Sequence, residues 1–168
     1  HEVSVVLLTK NSASTVQKSL DSIFHQTRKP DEVVVVDGSS ADGTLDIVKN
    51  YPVKLVTEQG LGFGHARNLG VKNSTGDVVF FLDSDCYAEP DWIGKALTHF
   101  DSGSEIAGVT GQTRLWNTES GVARFLACVG GRVDMPKQRK YVKLAPTMNL
   151  AIRRSVVDEI GGFDETLV

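Results

Sequence analysis

Cysteine and aromatic residues are scarce in this sequence, and no stretch of it approaches the roughly 18 consecutive apolar residues of a membrane span. The two cysteines, Cys86 and Cys128, have no metal-ligand spacing and no companions, so they read as buried thiols of a reducing compartment, the cytoplasm. A basic excess is missing too. With a formal net charge of -3, nothing in the balance points to nucleic acid as a partner. His1 leads almost directly into a strand pattern without a signal peptide, so any membrane anchor is expected outside this chain. What remains is an ordinary globular composition, 40% apolar and 23% charged, in 168 residues that suit one domain with its own core.

Val3 to Leu8, Val33 to Val36 and Val78 to Leu82 are short apolar runs rich in β-branched residues, the pattern of strands covered on both faces. Val16, Leu20, Ile23 and Phe24 recur at helical spacing between the first two, behind a capping-box spacing from Ser14 to Gln17. A second helix is expected after Asp42, a short strand over Val53 to Val56, and a third helix carrying Ala66 and Leu69. Ile93, Ala96, Leu97 and Phe100 mark a fourth after Pro90, and Ser155 to Ile160, again with capping-box spacing at Ser155 and Asp158, a last one ending at Gly161 and Gly162. Residues 112–146 lack periodicity and read as irregular, with one short helix around 122–129. The alternation predicts a three-layer α/β/α domain on a mostly parallel sheet of Rossmann-like β-α-β units. Such sheets bind ligands outside the carboxyl ends of their strands.

Those ends are Thr9-Lys10-Asn11, Asp37-Gly38-Ser39-Ser40 and Asp83-Ser84-Asp85. Asp83 and Asp85, one residue apart after a buried strand, would point to the same side in extended backbone and can share a hard cation such as Mn²⁺ or Mg²⁺. A metal there can bridge a substrate diphosphate. Asp37 can accept hydrogen bonds from a nucleobase or ribose, or serve instead as a turn aspartate capping the next helix. Arg67 follows the glycine-rich stretch Gly60 to His65 near a helix start, where a guanidinium and free amides both favour phosphate. His65 has the reach to join it. Arg132, Lys137, Arg139, Lys140 and Lys143, against the single acid Asp134, form a basic segment suited to a solvated loop, a phosphorylated acceptor or anionic headgroups.

Read in order, "VSVVLLTKN", "SLDSIFHQTRKPDEVVVVDGSSADGT", "ARNLGVKNSTGDVVFFLDSD" and "PTMNLAIRRSVVDEIGGFDE" resemble the family 2 glycosyltransferases of GT-A fold, from Val3 to Glu165. The resemblance implies transfer of a sugar from a nucleotide-diphosphate donor to a saccharide or lipid-linked acceptor, with inversion and with Mn²⁺ or Mg²⁺. It implies a donor-binding set of Thr9, Asp37, Arg67, Asp83 and Ser84, a metal pair Asp83 and Asp85, and an acceptor-side stretch including Thr147 and Asn149. Within the single domain, residues 1–111 would be the nucleotide-sugar-binding part and 112–168 the acceptor side. The family's carboxylate base usually follows the stretch matching Gly161 to Glu165, so it is expected beyond Val168, and the fragment by itself is expected to bind donor without transferring.

The sequence departs from the family in having Gly38 after Asp37 rather than a second aspartate, and Lys10 where many members carry an aromatic; Lys10 could contact a phosphate instead. A dinucleotide-dependent oxidoreductase is the nearest enzyme rival, but its glycine fingerprint read from Gly62 demands a small residue at Arg67, and the first βα turn has no glycine. A non-catalytic sugar-nucleotide-binding module is the alternative from another class. If the basic segment meets a membrane surface, on the cytoplasmic face, then replacing Lys137, Arg139 and Lys140 by Gln weakens sedimentation with anionic vesicles; unchanged sedimentation refutes that role.

Overall fold

The computed structural model describes residues 1–114, 121, 141–142 and 145–166. Their centre is one six-stranded sheet in the order β3-β2-β1-β4-β6-β5. Four strands, β1 (Val3–Thr9), β2 (Glu32–Asp37), β3 (Lys54–Thr57) and β4 (Val78–Asp83), run parallel. Helices α1 (Val16–Phe24), α2 (Thr44–Val48) and α3 (Phe63–Lys72) connect them, and α4 (Trp92–Ser102) follows β4. β6 (Leu150–Arg153) then runs antiparallel to both β4 and β5 (Gly108–Thr110), and α5 (Arg154–Ile160) closes the described chain.

The valine-rich strands are buried on both faces because successive side chains leave a strand on opposite sides. Val5, Leu7, Val33, Val35, Phe80 and Leu82 pack on one face with Leu20 and Ile23 of α1 and Ile93 and Phe100 of α4. Val6, Leu8, Val34, Val36, Val79 and Phe81 pack on the other with Val71 of α3 and Val157 of α5. A three-layer α/β/α sandwich results, as the alternation predicts. α3 lies close on the sheet at Gly70, where a Cβ would stand 2.4 Å from a methyl of Val6.

Several local expectations are corrected. α1 begins at Val16 without a side-chain cap, so the Ser14–Gln17 capping box does not form. The Ser12 carbonyl takes the amides of Thr15 and Val16 instead, at 3.0 and 2.9 Å. The Ser155–Asp158 box fails too, because β6 runs straight into α5 at Arg154, whose N–H donates to the Asp77 carbonyl at 2.9 Å. β3 lies one residue later than expected. The two antiparallel strands were not anticipated, being three and four residues long. The expected helix at 122–129, Cys128 and the basic segment from Arg132 to Lys140, with Lys143, lie outside the described residues.

Two adjacent arginines fasten the antiparallel edge to the helices of both layers. Arg153 reaches one face, where Nε donates to the Ile106 carbonyl at 2.9 Å and Nη2 to those of Phe100 and Gly103 at 3.0 and 3.2 Å, around the end of α4. Arg154 reaches the other, donating to the carbonyls of Gly76 and Val71 at 2.8 and 3.0 Å and to Ser74 Oγ at 2.6 Å, around the end of α3. A guanidinium at a helix carboxyl end meets orphan carbonyls and the negative end of the helix dipole together. Arg153→Ala and Arg154→Ala should each lower the unfolding free energy by about 2–3 kcal/mol, measured by urea denaturation, since part-buried carbonyls lose charged donors.

Candidate functional site

The parallel strands bring the expected residues to one rim. Thr9 pairs with Asp37, Leu8 with Asp83 and Asp37 with Thr57 across adjacent strands. At roughly 4.8 Å per strand, the strands bearing Asp37 and Asp83 stand about 10 Å apart with β1 between them. Thr9 is 5% exposed, and its hydroxyl is buried without a hydrogen-bond partner among the described residues. Buried polar atoms are seldom left this way.

Asp37 is wholly buried, and Ser40 occupies both of its carboxylate oxygens, donating its amide to one at 2.8 Å and its hydroxyl to the other at 2.5 Å. This is the turn-holding geometry. An ionised carboxylate has about four lone-pair sites, so two are left for a further donor. Ser39, at φ 62°, donates its hydroxyl to the Glu58 carbonyl at 2.8 Å. Glu58, buried and missed in the sequence, takes the amides of Gly60 (2.8 Å) and Leu61 into its carboxylate. Those two amides are therefore engaged within the chain, and the expectation of free amides there does not extend to them. Lys10 is exposed, its stem lying where a Cβ on Gly38 would meet Cδ at 3.2 Å, so the two departures from the family pattern touch each other.

At β4 the strand ends on Asp83, and the amide of Cys86 closes a turn onto the Asp83 carbonyl at 3.0 Å. Asp85 thus leaves a turn, not extended backbone, and is exposed while Asp83 is half-buried. Burial raises the Asp83 pKa above the usual carboxylate value, the Arg67 charge opposes that rise, and the Asp85 charge adds to it. Arg67 is held below its usual value by burial, against the pull of Asp83. Its Nε is buried with no partner, and no ion pair joins it to Asp83 among the described residues. Cys86 is pushed up to about 12, by burial first and then by Asp85 and Asp83. Ser84 is built into the scaffold beneath them: its amide donates to Leu8, its carbonyl accepts from Ser19 and its hydroxyl donates to Ser12 Oγ at 2.7 Å.

A divalent cation fits this pair by its chemistry. No group of three or more His, Cys, Asp or Glu that could hold a metal ion occurs among the described residues. Neither carboxylate is tied up by more than a thiol contact from Cys86 to Asp85 at 3.5 Å. One or two carboxylates with water and phosphate oxygens completing the shell is how Mg²⁺-like ions are held.

Thr147 to Asn149 form a single 3-10 turn that leads into β6 beside the end of β4. Asn149 is anchored there, accepting from Trp92 Nε1 at 2.8 Å and donating to the Gln112 carbonyl at 3.2 Å. No hydrogen bond engages the Thr147 side chain among the described residues. Thr9, Arg67, Asp83, Asp85 and the 147–149 turn therefore surround the end of β4, with Asp37 two strands away.

The profile of glycosyl transferase family 2 matches residues 4–161. The chain belongs to this family. It is 29% identical over 99% of its length to the glycosyltransferase AglE of Haloferax volcanii, of which it covers 57%. It is also 29% identical over 98% of its length to the O-antigen chain rhamnosyltransferase RfbN of Salmonella typhimurium, of which it covers 56%. The mannosyltransferase PcManGT from Pyrobaculum calidifontis, solved with GDP-Man and Mn²⁺, superposes with a TM-score of 0.77 at 25% identity, over 98% of this chain and 48% of that one. TarS of S. aureus, solved with UDP, does so with a TM-score of 0.77 at 25% identity, over 99% and 51%. The fold is GT-A, and the chain spans about half the length of these relatives. Family membership sets the dinucleotide-dependent oxidoreductase aside.

The raised Asp83 pKa carries a sign. A carboxyl whose pKa rises on folding favours the native state while protonated and loses that contribution as pH climbs through the folded value. Asp83→Asn should therefore raise the melting temperature of the ligand-free protein at pH 7, and the gain should vanish as pH falls below the carboxylate range. A variant that melts lower at pH 7 would contradict this account of the site.

Proposed function

We propose that this chain is the donor-binding part of a glycosyltransferase that moves a sugar from a nucleoside diphosphate to an acceptor hydroxyl with inversion. The observation that carries it is the end of β4, where Arg67 and Asp83 are both desolvated, each shifts the other's charge, and no ion pair joins them among the described residues. Charges placed in this way are expected where a charged ligand completes them. Complexes of relatives support the reading: PcManGT is solved with GDP-Man and Mn²⁺, and TarS with UDP.

The donor diphosphate lies against Arg67, whose forked guanidinium matches phosphate oxygens. The ends of β1 and β2, which carry Thr9 and Asp37, border the nucleoside. Asp85 and Asp83 would hold a divalent ion, which would supply positive charge against the diphosphate. In the displacement the acceptor oxygen forms a bond to the anomeric carbon as that carbon's bond to the phosphate oxygen breaks. The electron pair leaves with the nucleoside diphosphate, and the acceptor proton passes to a carboxylate base outside the residues assigned here. Arg67 stabilises the charge that grows on the leaving group. The turn at Thr147 to Asn149 borders the acceptor side.

A thermal-shift panel of UDP-, GDP- and dTDP-sugars and NAD, with and without Mn²⁺, tests the reading. One sugar nucleotide at about a hundred times its Kd should raise the melting temperature by about 5–10 °C with Mn²⁺. The metal-dependent part should be lost in Asp85→Asn. Stabilisation by NAD alone overturns the proposal, and binding without any transfer by the full-length protein favours a non-catalytic module.

A further inference from the structure

Arg67 Nε is buried without a hydrogen-bond partner among the described residues, and two aromatic rings flank the guanidinium. Its guanidinium carbon lies 5.6 Å from the ring centre of Phe63 and 5.9 Å from that of Phe163. Phe63 opens α3 and is largely exposed, so it can be only a loose wall. Phe163 follows α5, and its ring meets Phe81 of β4 edge-on with centres 5.3 Å apart. One aromatic thus joins the sheet to the guanidinium.

What fixes Phe163 is the residue next to Arg67. Asn68 reads both backbone groups of Phe163: its Oδ1 accepts the Phe163 N–H at 2.8 Å and its Nδ2 donates to the Phe163 carbonyl at 2.9 Å. The same Nδ2 donates to Glu165 Oε1 at 2.7 Å, and His65 Nδ1 lies 3.2 Å from Glu165 Oε2. His65 and Asn68 are three residues apart on α3 and so share a face. The fit is close on both sides. A Cβ on Gly64 would stand 2.4 Å from the Asp164 carbonyl oxygen, and one on Gly162, at φ +89°, 2.7 Å from Asn68 Oδ1.

We infer that Asn68 is a positioning residue for Arg67: by clamping the Phe163 backbone it sets the aromatic wall that aims the guanidinium at the donor diphosphate. The inference rests on the donor-site reading above. Asn suits the task because its amide offers an acceptor and a donor at once, whereas an aspartate would lose the donor and set a second negative charge beside Glu165. Long side chains such as Arg carry large rotamer freedom, and a fixed π-face restricts it before the ligand arrives.

The test is a double-mutant cycle in the full-length protein. Binding of UDP and of GDP, each with Mn²⁺, is measured by calorimetry for wild type, Arg67→Gln, Asn68→Ala, Phe163→Leu and Arg67→Gln/Asn68→Ala. Uridine and guanosine are followed by ligand-observed NMR. Each single change should weaken the diphosphate that wild type binds by about tenfold, the double variant should bind no worse than Arg67→Gln alone, and nucleoside binding should not change. Should Asn68→Ala fail to fold, Phe163→Leu, which leaves the backbone clamp in place, carries the same cycle with Arg67→Gln. Losses that add, or that fall equally on nucleoside and diphosphate, make Asn68 a purely structural residue and overturn the inference alone. If wild type binds neither diphosphate, or Arg67→Gln binds as well as wild type, the donor-site reading falls and the inference with it.

Discussion

A guanidinium and a carboxylate, Arg67 and Asp83, feel each other's charge at the end of β4, both drawn partly out of water and not joined by an ion pair among the described residues. Such a pair is unfavourable in an isolated fold, because the desolvation of each charge is not offset by a direct ion pair. Its survival means that the surrounding structure tolerates the strain. Here the toleration is visible: Asp83 is the last residue of a strand whose preceding five residues are buried, and Arg67 rides on a helix packed tightly against the sheet at Gly70.

The rest of the rim is engineered around keeping that edge rigid without neutralising it. Ser84 ties the β4 turn to β1 and α1, Ser40 occupies Asp37 so that the β2 turn holds its shape, and Glu58 fixes the glycine-rich loop ahead of α3. Among the described residues, Thr9 Oγ1 and Arg67 Nε stay buried at this rim without a hydrogen-bond partner. On the opposite side of the sheet edge, Arg153 and Arg154 bind the antiparallel strands to both helical layers. That arrangement places the turn bearing Thr147 and Asn149 beside Asp83.

Much of this was legible. The apolar β-branched runs mark β1, β2 and β4, and the rule that ligands sit at the carboxyl ends of parallel strands points to Thr9, Asp37 and Asp83. Capping-box spacings at Ser14 and Ser155 misled, because the nearby Ser12 carbonyl takes the amides that start α1 and the distant Asp77 carbonyl takes the Arg154 amide that starts α5. β5 and β6 escaped because three or four residues are too few for a period to show. Asn68, Phe163 and Glu58 escaped for a different reason: no spacing or residue type in the sequence shows the contacts they make, which exist only in the folded chain.

Alternation and run length, properties carried by neighbouring residues, determined the layers of this protein, the direction of its central strands and the edge at which chemistry gathers. Tertiary structure decided the state of each charge on that edge. Burial of Asp83 and Arg67, the exposure of Asp85 and the aromatic wall beside Arg67 all depend on which remote segments pack against α3 and β4. Desolvation and hydrogen bonding are set by atoms close in space, and the chain brings Phe163 to Arg67 only after the whole sheet has formed.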